Sequence, residues 1–147
     1  MPTPEFTAQE MEQTIRRYYD GCNEADVDKM VSCFTADAVH YFPQGMTRGA
    51  FRGAQEIAQR WRSVVQKAGA RWTIDHMLID PAKGEAVLEW SNFTANGLVR
   101  GTEWVLFDRE SRLIREIRAY VAAAPAAGAT RSELGEFDYA QRGYPLT

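Results

Sequence analysis

The sequence predicts an α+β domain in which helices come first and a mostly antiparallel sheet follows. Three observations carry that expectation. Apolar residues recur at helical spacing in three stretches before Gly69, the period turns strand-like after it, and Asn96-Gly97 stands between two long strand-like runs as a hairpin signal. The 147 residues suit one domain, and fractions of 45% hydrophobic and 25% charged residues are those of a folded globular chain.

The first helix starts behind Thr7, which forms a capping box with Glu10, while Phe6 and Met11 stand at the two ends of a hydrophobic staple. Met11, Ile15, Tyr18, Tyr19 and Cys22 give it one apolar face. Asp26 caps a second, shorter helix with Val27, Met30, Val31 and Phe34 inward. Ala38 to Phe42 reads as a strand stopped by Pro43, and a Gly-rich loop runs on to Gly53. The third helix carries Ile57, Trp61, Val64, Val65 and Ala68, and Gly69 ends it. Strands then follow over 71–80, 85–95, 98–107 and 113–123, divided by turns at 80–84, 96–97 and 108–112. The expected division is one domain over 1–123 and a tail over 124–147 that covers either the pocket or a dimer partner. A short helical piece is expected around 133–139.

Composition excludes several classes. The net charge of −3 lacks the basic excess of a general nucleic-acid binder. No apolar run is long enough to span a bilayer, and the N-terminus lacks a secretory pattern, so a cytoplasmic setting is expected. Two His and two Cys, with Cys22 and Cys33 eleven positions apart, predict neither a metal site nor a disulfide. Seven Phe, six Tyr and four Trp are the conspicuous resource. A curved sheet around helices of this size leaves a conical cavity suited to an apolar small molecule.

Strand phase nominates the polar groups of that cavity. In the last strand Leu113, Ile117, Ala119 and Val121 alternate with Glu116, Arg118 and Tyr120, so the first set faces the core. Carried back across the turn, the same phase turns Phe107, Val105 and Glu103 inward. Glu103 is then either a carboxyl with a perturbed pKa in an apolar interior or an ordinary solvated strand residue. His40 shares a face with Phe42 and is the candidate base, the alternative being a core imidazole held by a backbone carbonyl. A strict Asn96-Gly97 turn pairs Trp90 with Glu103 and sends Glu89 outward beside Trp104, although one bulge would reverse that. Trp104, Arg118 and Tyr120 on the outer face have the composition of an interface.

Arg17-Tyr18, Phe34-Thr35-Ala36-Asp37-Ala38-Val39, Arg52-Gly53 opening the third helix and Arg118-Ala119-Tyr120 stand in an order of elements that resembles the nuclear transport factor 2-like superfamily. That superfamily includes ketosteroid isomerases, SnoaL-like polyketide cyclases and limonene epoxide hydrolases, and the likeness covers residues 7–123. It implies a cone-shaped α+β barrel and homodimers formed through the outer sheet face. It also implies an oxyanion-binding acid at Glu103, an oxyanion tyrosine at Tyr18 and a pocket aromatic at Trp61. The isomerases' aspartate base falls on Phe42, which accepts no proton, so their mechanism is disfavoured. Glu89 resembles an acid of the epoxide hydrolases, but the second acid falls near Ala119. Such motifs identify the fold better than the reaction.

The function expected is a SnoaL-like cyclase or isomerase that acts on an apolar carbonyl compound without a cofactor. His40 removes a proton, Glu103 and Tyr18 donate to the oxyanion, and Phe42, Trp61, Trp90, Phe107 and Glu89 bind the substrate. A non-catalytic ligand-binding or dimerisation module on the same fold is the alternative, and an epoxide hydrolase stands behind both.

Overall fold

Thr7 opens the first helix through the two reciprocal bonds of its capping box: its hydroxyl accepts from the Glu10 amide, and its own amide donates to the Glu10 carboxylate. That helix, α1 (Ala8–Glu24), ends at Ala25 in the left-handed region. Asp26 caps α2 (Val27–Val31) by accepting from the Lys29 amide at 3.0 Å. The third helix, α3 (Ala54–Ala68), ends at Gly69, whose φ of 61° favours glycine. The computed structural model describes residues 4–122 and 134–144.

Six strands follow the expected order with one addition: β1 (Phe34–Tyr41), β2 (Phe51–Arg52), β3 (Arg71–Asp80), β4 (Glu85–Thr94), β5 (Gly97–Asp108) and β6 (Leu113–Ala122). They form one curved, unclosed sheet in the order β2-β1-β6-β5-β4-β3, with the three helices packed against it. Only the β1–β6 pair among these neighbours is parallel. Met11 and Ile15 of α1, Met30, Ile57, and Val105, Ile114 and Ile117 of the sheet are almost fully buried and form the middle of the core.

Several boundaries differ from expectation, each for a local reason. The first strand starts at Phe34 and stops at Tyr41, leaving Phe42 just beyond it. Within the loop expected to reach Gly53, Phe51 pairs with His40 and forms β2. The β4–β5 hairpin closes one residue early, with Thr94 opposite Gly97 and Ala95-Asn96 as the loop. Asn96 does not adopt the positive φ that a type I′ Asn-Gly turn needs. Instead the Ala95 amide donates to the Ala68 carbonyl at the end of α3, and Thr94 Oγ1 bonds within the turn. Partners move by two residues, so Glu103 opposes Leu88 and Trp90 opposes Gly101. A shift of two preserves the faces. A further irregularity between Leu106 and Phe107 buries Ile114 rather than Leu113.

The expected boundary between domain and tail lies outside the described residues. The described tail, 134–144, contains turns and no helix over 134–139. It lies on the outer side of β1 and β6, where Leu134 and Phe137 bury against Tyr41. Arg142 bonds both oxygens of Glu116 at 2.7 and 2.8 Å.

Candidate active site

Glu103 owes its place to strand phase: β5 turns it inward between Leu88 of β4 and Ala119 of β6. It is 5% exposed, and among the described residues no Lys or Arg pairs with it. Tyr19 of α1 donates its hydroxyl to Glu103 Oε1 at 2.7 Å. The other carboxyl oxygen stands 3.8 Å from His40 Nε2. His40 is 1% exposed and stacks on Phe42 at 4.2 Å, with the edge of Trp61 at 5.5 Å. These three polar groups therefore meet inside an aromatic shell.

Burial sets their protonation. Loss of solvation pushes the Glu103 carboxyl up to about 7, against the opposing hydrogen bond from Tyr19. It drives the His40 imidazole down to about 3 and the Tyr19 phenol well above its ordinary value. Near neutral pH, His40 is a neutral imidazole and Glu103 sits at its titration midpoint. A carboxyl with that pKa gives up or takes a proton with little penalty, as acid–base catalysis requires.

A cavity of about 260 Å³ opens from this group. Roughly 300–1,000 Å³ is usual for small-molecule sites, so the space suits a compact ligand. Glu103, Tyr19, His40, Phe42 and Phe51 form its buried end, and Trp61, Trp72 and Trp90 contribute wall. Met46, Val64, Asn92, Val99 and Val121 also line it and are less buried. Among the described residues, no three His, Cys, Asp or Glu side chains converge as a metal set.

Of the residues singled out in the sequence, the structure gathers Glu103, His40, Phe42, Trp61 and Trp90 around this space. Three others lie elsewhere. Tyr18 does not line the cavity; it packs edge-on against Phe34 at 4.8 Å and against Tyr19 at 5.6 Å. One residue turns a helical side chain by about 100°, and α1 presents Tyr19 to Glu103 instead. Phe107 does not line the cavity; it packs edge-on against Phe6 at 5.4 Å. Glu89 points outward, is exposed, and pairs with Arg100 at 3.2 Å because no bulge interrupts β4 against β5.

Some positioning residues escaped the sequence reading. Gly101 faces Trp90 across the ladder, and a Cβ there would lie 2.5 Å from both the indole and the Tyr120 carbonyl. A glycine inside a strand often marks such a close approach. Asn23 binds both backbone groups of Trp72, accepting from its N–H at 2.7 Å and donating to its C=O at 2.9 Å. This ties the end of α1 to β3, an arrangement with no local sequence signal.

A family model described as a SnoaL-like domain matches residues 15–117. The fold superposes, with a TM-score of 0.94 and 55% identity, on a protein of unknown function with a cystatin-like fold from Methylobium petroleophilum PM1, covering 98% of this chain and 96% of that one. It also resembles SalBIII, an epoxide hydrolase/cyclase-like enzyme of pyran ring formation in the polyether salinomycin. There the TM-score is 0.63 and the identity 19%, over 78% of this chain and 92% of that one. A candidate polyketide cyclase from Sinorhizobium meliloti gives a TM-score of 0.63 and 16% identity, over 76% of this chain and 99% of that one. At those identities the likeness concerns fold alone. No curated protein matches the chain.

Proposed function

The chain belongs to the SnoaL-like domain family of the nuclear transport factor 2-like superfamily, and from that premise we propose that it is a cofactor-free enzyme of the cyclase or isomerase type. Its substrate is a compact, apolar carbonyl compound. The observation that carries this reading is the buried Glu103 carboxyl, held by Tyr19 and faced by His40 inside an aromatic cavity. The distant cyclase-like structures share the fold; the reading rests on the site.

In the proposed step the carbonyl oxygen accepts the proton of neutral Glu103 while His40 Nε2 takes a proton from the adjacent carbon. The carbonyl becomes an enol, Glu103 becomes a carboxylate and His40 an imidazolium. Alone, a charged His40 is disfavoured by burial. Here its charge appears together with the Glu103 anion 3.8 Å away, so each ion offsets the other's desolvation. Return of the proton from His40 to a carbon, and of the enol proton to Glu103, restores both groups and completes an isomerisation or primes a ring closure. Tyr19 is a positioning residue in this scheme, since its hydroxyl fixes the carboxyl. Phe42, Trp61 and Trp90 hold the apolar body. Hydrolysis by paired carboxylates is not favoured, because Glu89 points outward, Ala119 stands where the second acid would fall, and among the described residues Glu103 is the one carboxylate lining the cavity. On the outer face the exposed Trp104 and Tyr120 support self-association through that surface.

Exchange of the α-protons of 2-tetralone in D₂O, followed by NMR, tests the chemistry. The protein should accelerate exchange over buffer, and the rate should fall as pH rises above about 7, where Glu103 loses its proton. No acceleration, or an equal one from Glu103→Gln, contradicts the reading.

A further inference from the structure

His40 Nδ1 at the buried end of the cavity and Trp61 Nε1 in its wall lack hydrogen-bond partners, and two further orphan atoms lie along β4. Trp90 Nε1 and Asn92 Oδ1 are both buried without a hydrogen-bond partner, and both residues line the cavity. Buried polar atoms without partners are rare in folded proteins, and each one calls for an explanation. Trp90 is itself more than nine-tenths buried. The two residues are successive inward-facing positions of β4, opposite Gly101 and Val99.

Register gives the separation of the two ends. Glu103 opposes Leu88, and Asn92 lies four residues further along β4. At about 3.3 Å per residue, the backbone positions that carry the two poles are roughly 13 Å apart along the strand. Between them lie the ring of Trp90, seated over Gly101, and the side chain of Val121, which offer apolar surface. An O–H···O bond of about 2.8 Å at each end leaves roughly 7–9 Å between the polar atoms of a bound molecule.

We infer that Asn92, with the indole N–H of Trp90, recognises a hydroxyl at the far end of the compact, flat, apolar substrate whose carbonyl end lies at Glu103. A hydroxyl fits both orphan atoms, because it accepts from an indole N–H and donates to an amide oxygen. The inference rests on the proposed function for the Glu103 end and adds the second pole. It makes Asn92 a specificity-determining residue remote from the chemistry.

Two probes separate the ends: 2-naphthol, with one hydroxyl, and 2,6-dihydroxynaphthalene, with one at each end of the same ring system. Calorimetric titration of the wild-type protein should show the dihydroxy compound binding about tenfold more tightly. Asn92→Leu should erase that preference and leave 2-naphthol affinity within about threefold. Glu103→Gln should weaken both compounds alike, which reports on the buried end separately. Equal wild-type affinities overturn the second pole whatever the variants do, and would leave a buried water as the partner of Asn92. A preference that survives Asn92→Leu overturns it as well. Failure of both compounds to bind the wild type overturns the second pole together with the reading it rests on. If Glu103→Gln changes neither affinity while Asn92→Leu erases the preference, the distal pole stands and the carbonyl end is misplaced.

Discussion

Two glutamates on neighbouring strands are almost equally hidden, at 5% exposed for Glu103 and 6% for Glu116, yet they titrate in opposite directions. Glu103 faces the cavity with one phenol and one neutral imidazole beside it, and desolvation pushes its carboxyl up to about 7. Glu116 faces outward under the tail, where Arg118 at 2.7 Å and Arg142 at 2.7–2.8 Å bring its carboxyl below the ordinary range against a desolvation that would raise it. Exposure to solvent is alike, but Glu103 lies deeper and lacks the cationic partners that Glu116 has. The outer face uses its acid to fasten a segment, and the inner face keeps its acid uncompensated and ready to exchange a proton.

The largest effect that tests this contrast is catalytic. Glu103→Gln keeps the shape and the hydrogen bond but cannot transfer a proton, so 2-tetralone exchange should drop by about 10²–10⁴. Glu116→Gln should leave exchange nearly unchanged, and an equal loss from both would erase the distinction between the faces.

Stability against pH comes next. Folded Glu103 holds its proton more tightly than the unfolded chain does, so the fold loses stability as pH rises from about 4.5 to about 7. His40 acts in the other direction: its pKa falls from 6.5 to about 3, and stability is lost as pH falls below about 6.5. Between about 4.5 and 6.5 the two slopes oppose each other. Removing Glu103 exposes the imbalance. Relative to wild type, Glu103→Gln should gain up to about 3 kcal/mol across the Glu103 interval and then level off. Urea denaturation at a series of pH values reads this directly.

Arg142→Met should cost about 1–3 kcal/mol at neutral pH, since it strips one of two cationic partners from Glu116 and uncovers Phe137 and Tyr41. Glu116 has a lowered folded pKa, so its contribution is present above the unfolded value and is lost as pH falls through the folded one. The cost should therefore shrink in acid. Gly101→Ala should cost a similar 1–3 kcal/mol by overpacking, and a shifted tryptophan emission would show that Trp90 had moved. The smallest effect is expected at Glu89→Gln, within about 0.5 kcal/mol and without change in exchange, as suits an exposed residue.

How much of this was legible in the sequence follows from the range of each signal. The Thr7–Glu10 box, the Asp26 cap and the Gly69 terminator are local chemistry, and the helices begin and end where those residues say. Strand alternation turned Glu103 inward despite a hairpin closed one residue early, because face depends only on parity. For Glu89 it left the face open, since one bulge would have reversed it, and β4 holds Glu89 away from the substrate-binding place expected for it. Choosing between Tyr18 and Tyr19 needed the rotation of α1 against the sheet. Both lie in one apolar stripe, and no pattern within the helix tells which meets β5. The tail was equally opaque. Its hold on Glu116 spans 26 residues and rests on one arginine among many polar positions. Gly101 was readable in principle as a strand glycine, but its reason, the Trp90 indole, required the register.

Burial brings the Glu103 carboxyl to its titration midpoint near neutral pH, and carboxyl ¹³C NMR tests this most directly. With the Glu103 resonance assigned by its disappearance in Glu103→Gln, a titration midpoint near 7 is the predicted result. A midpoint near 4.5, that of an ordinary solvated glutamate, would contradict it.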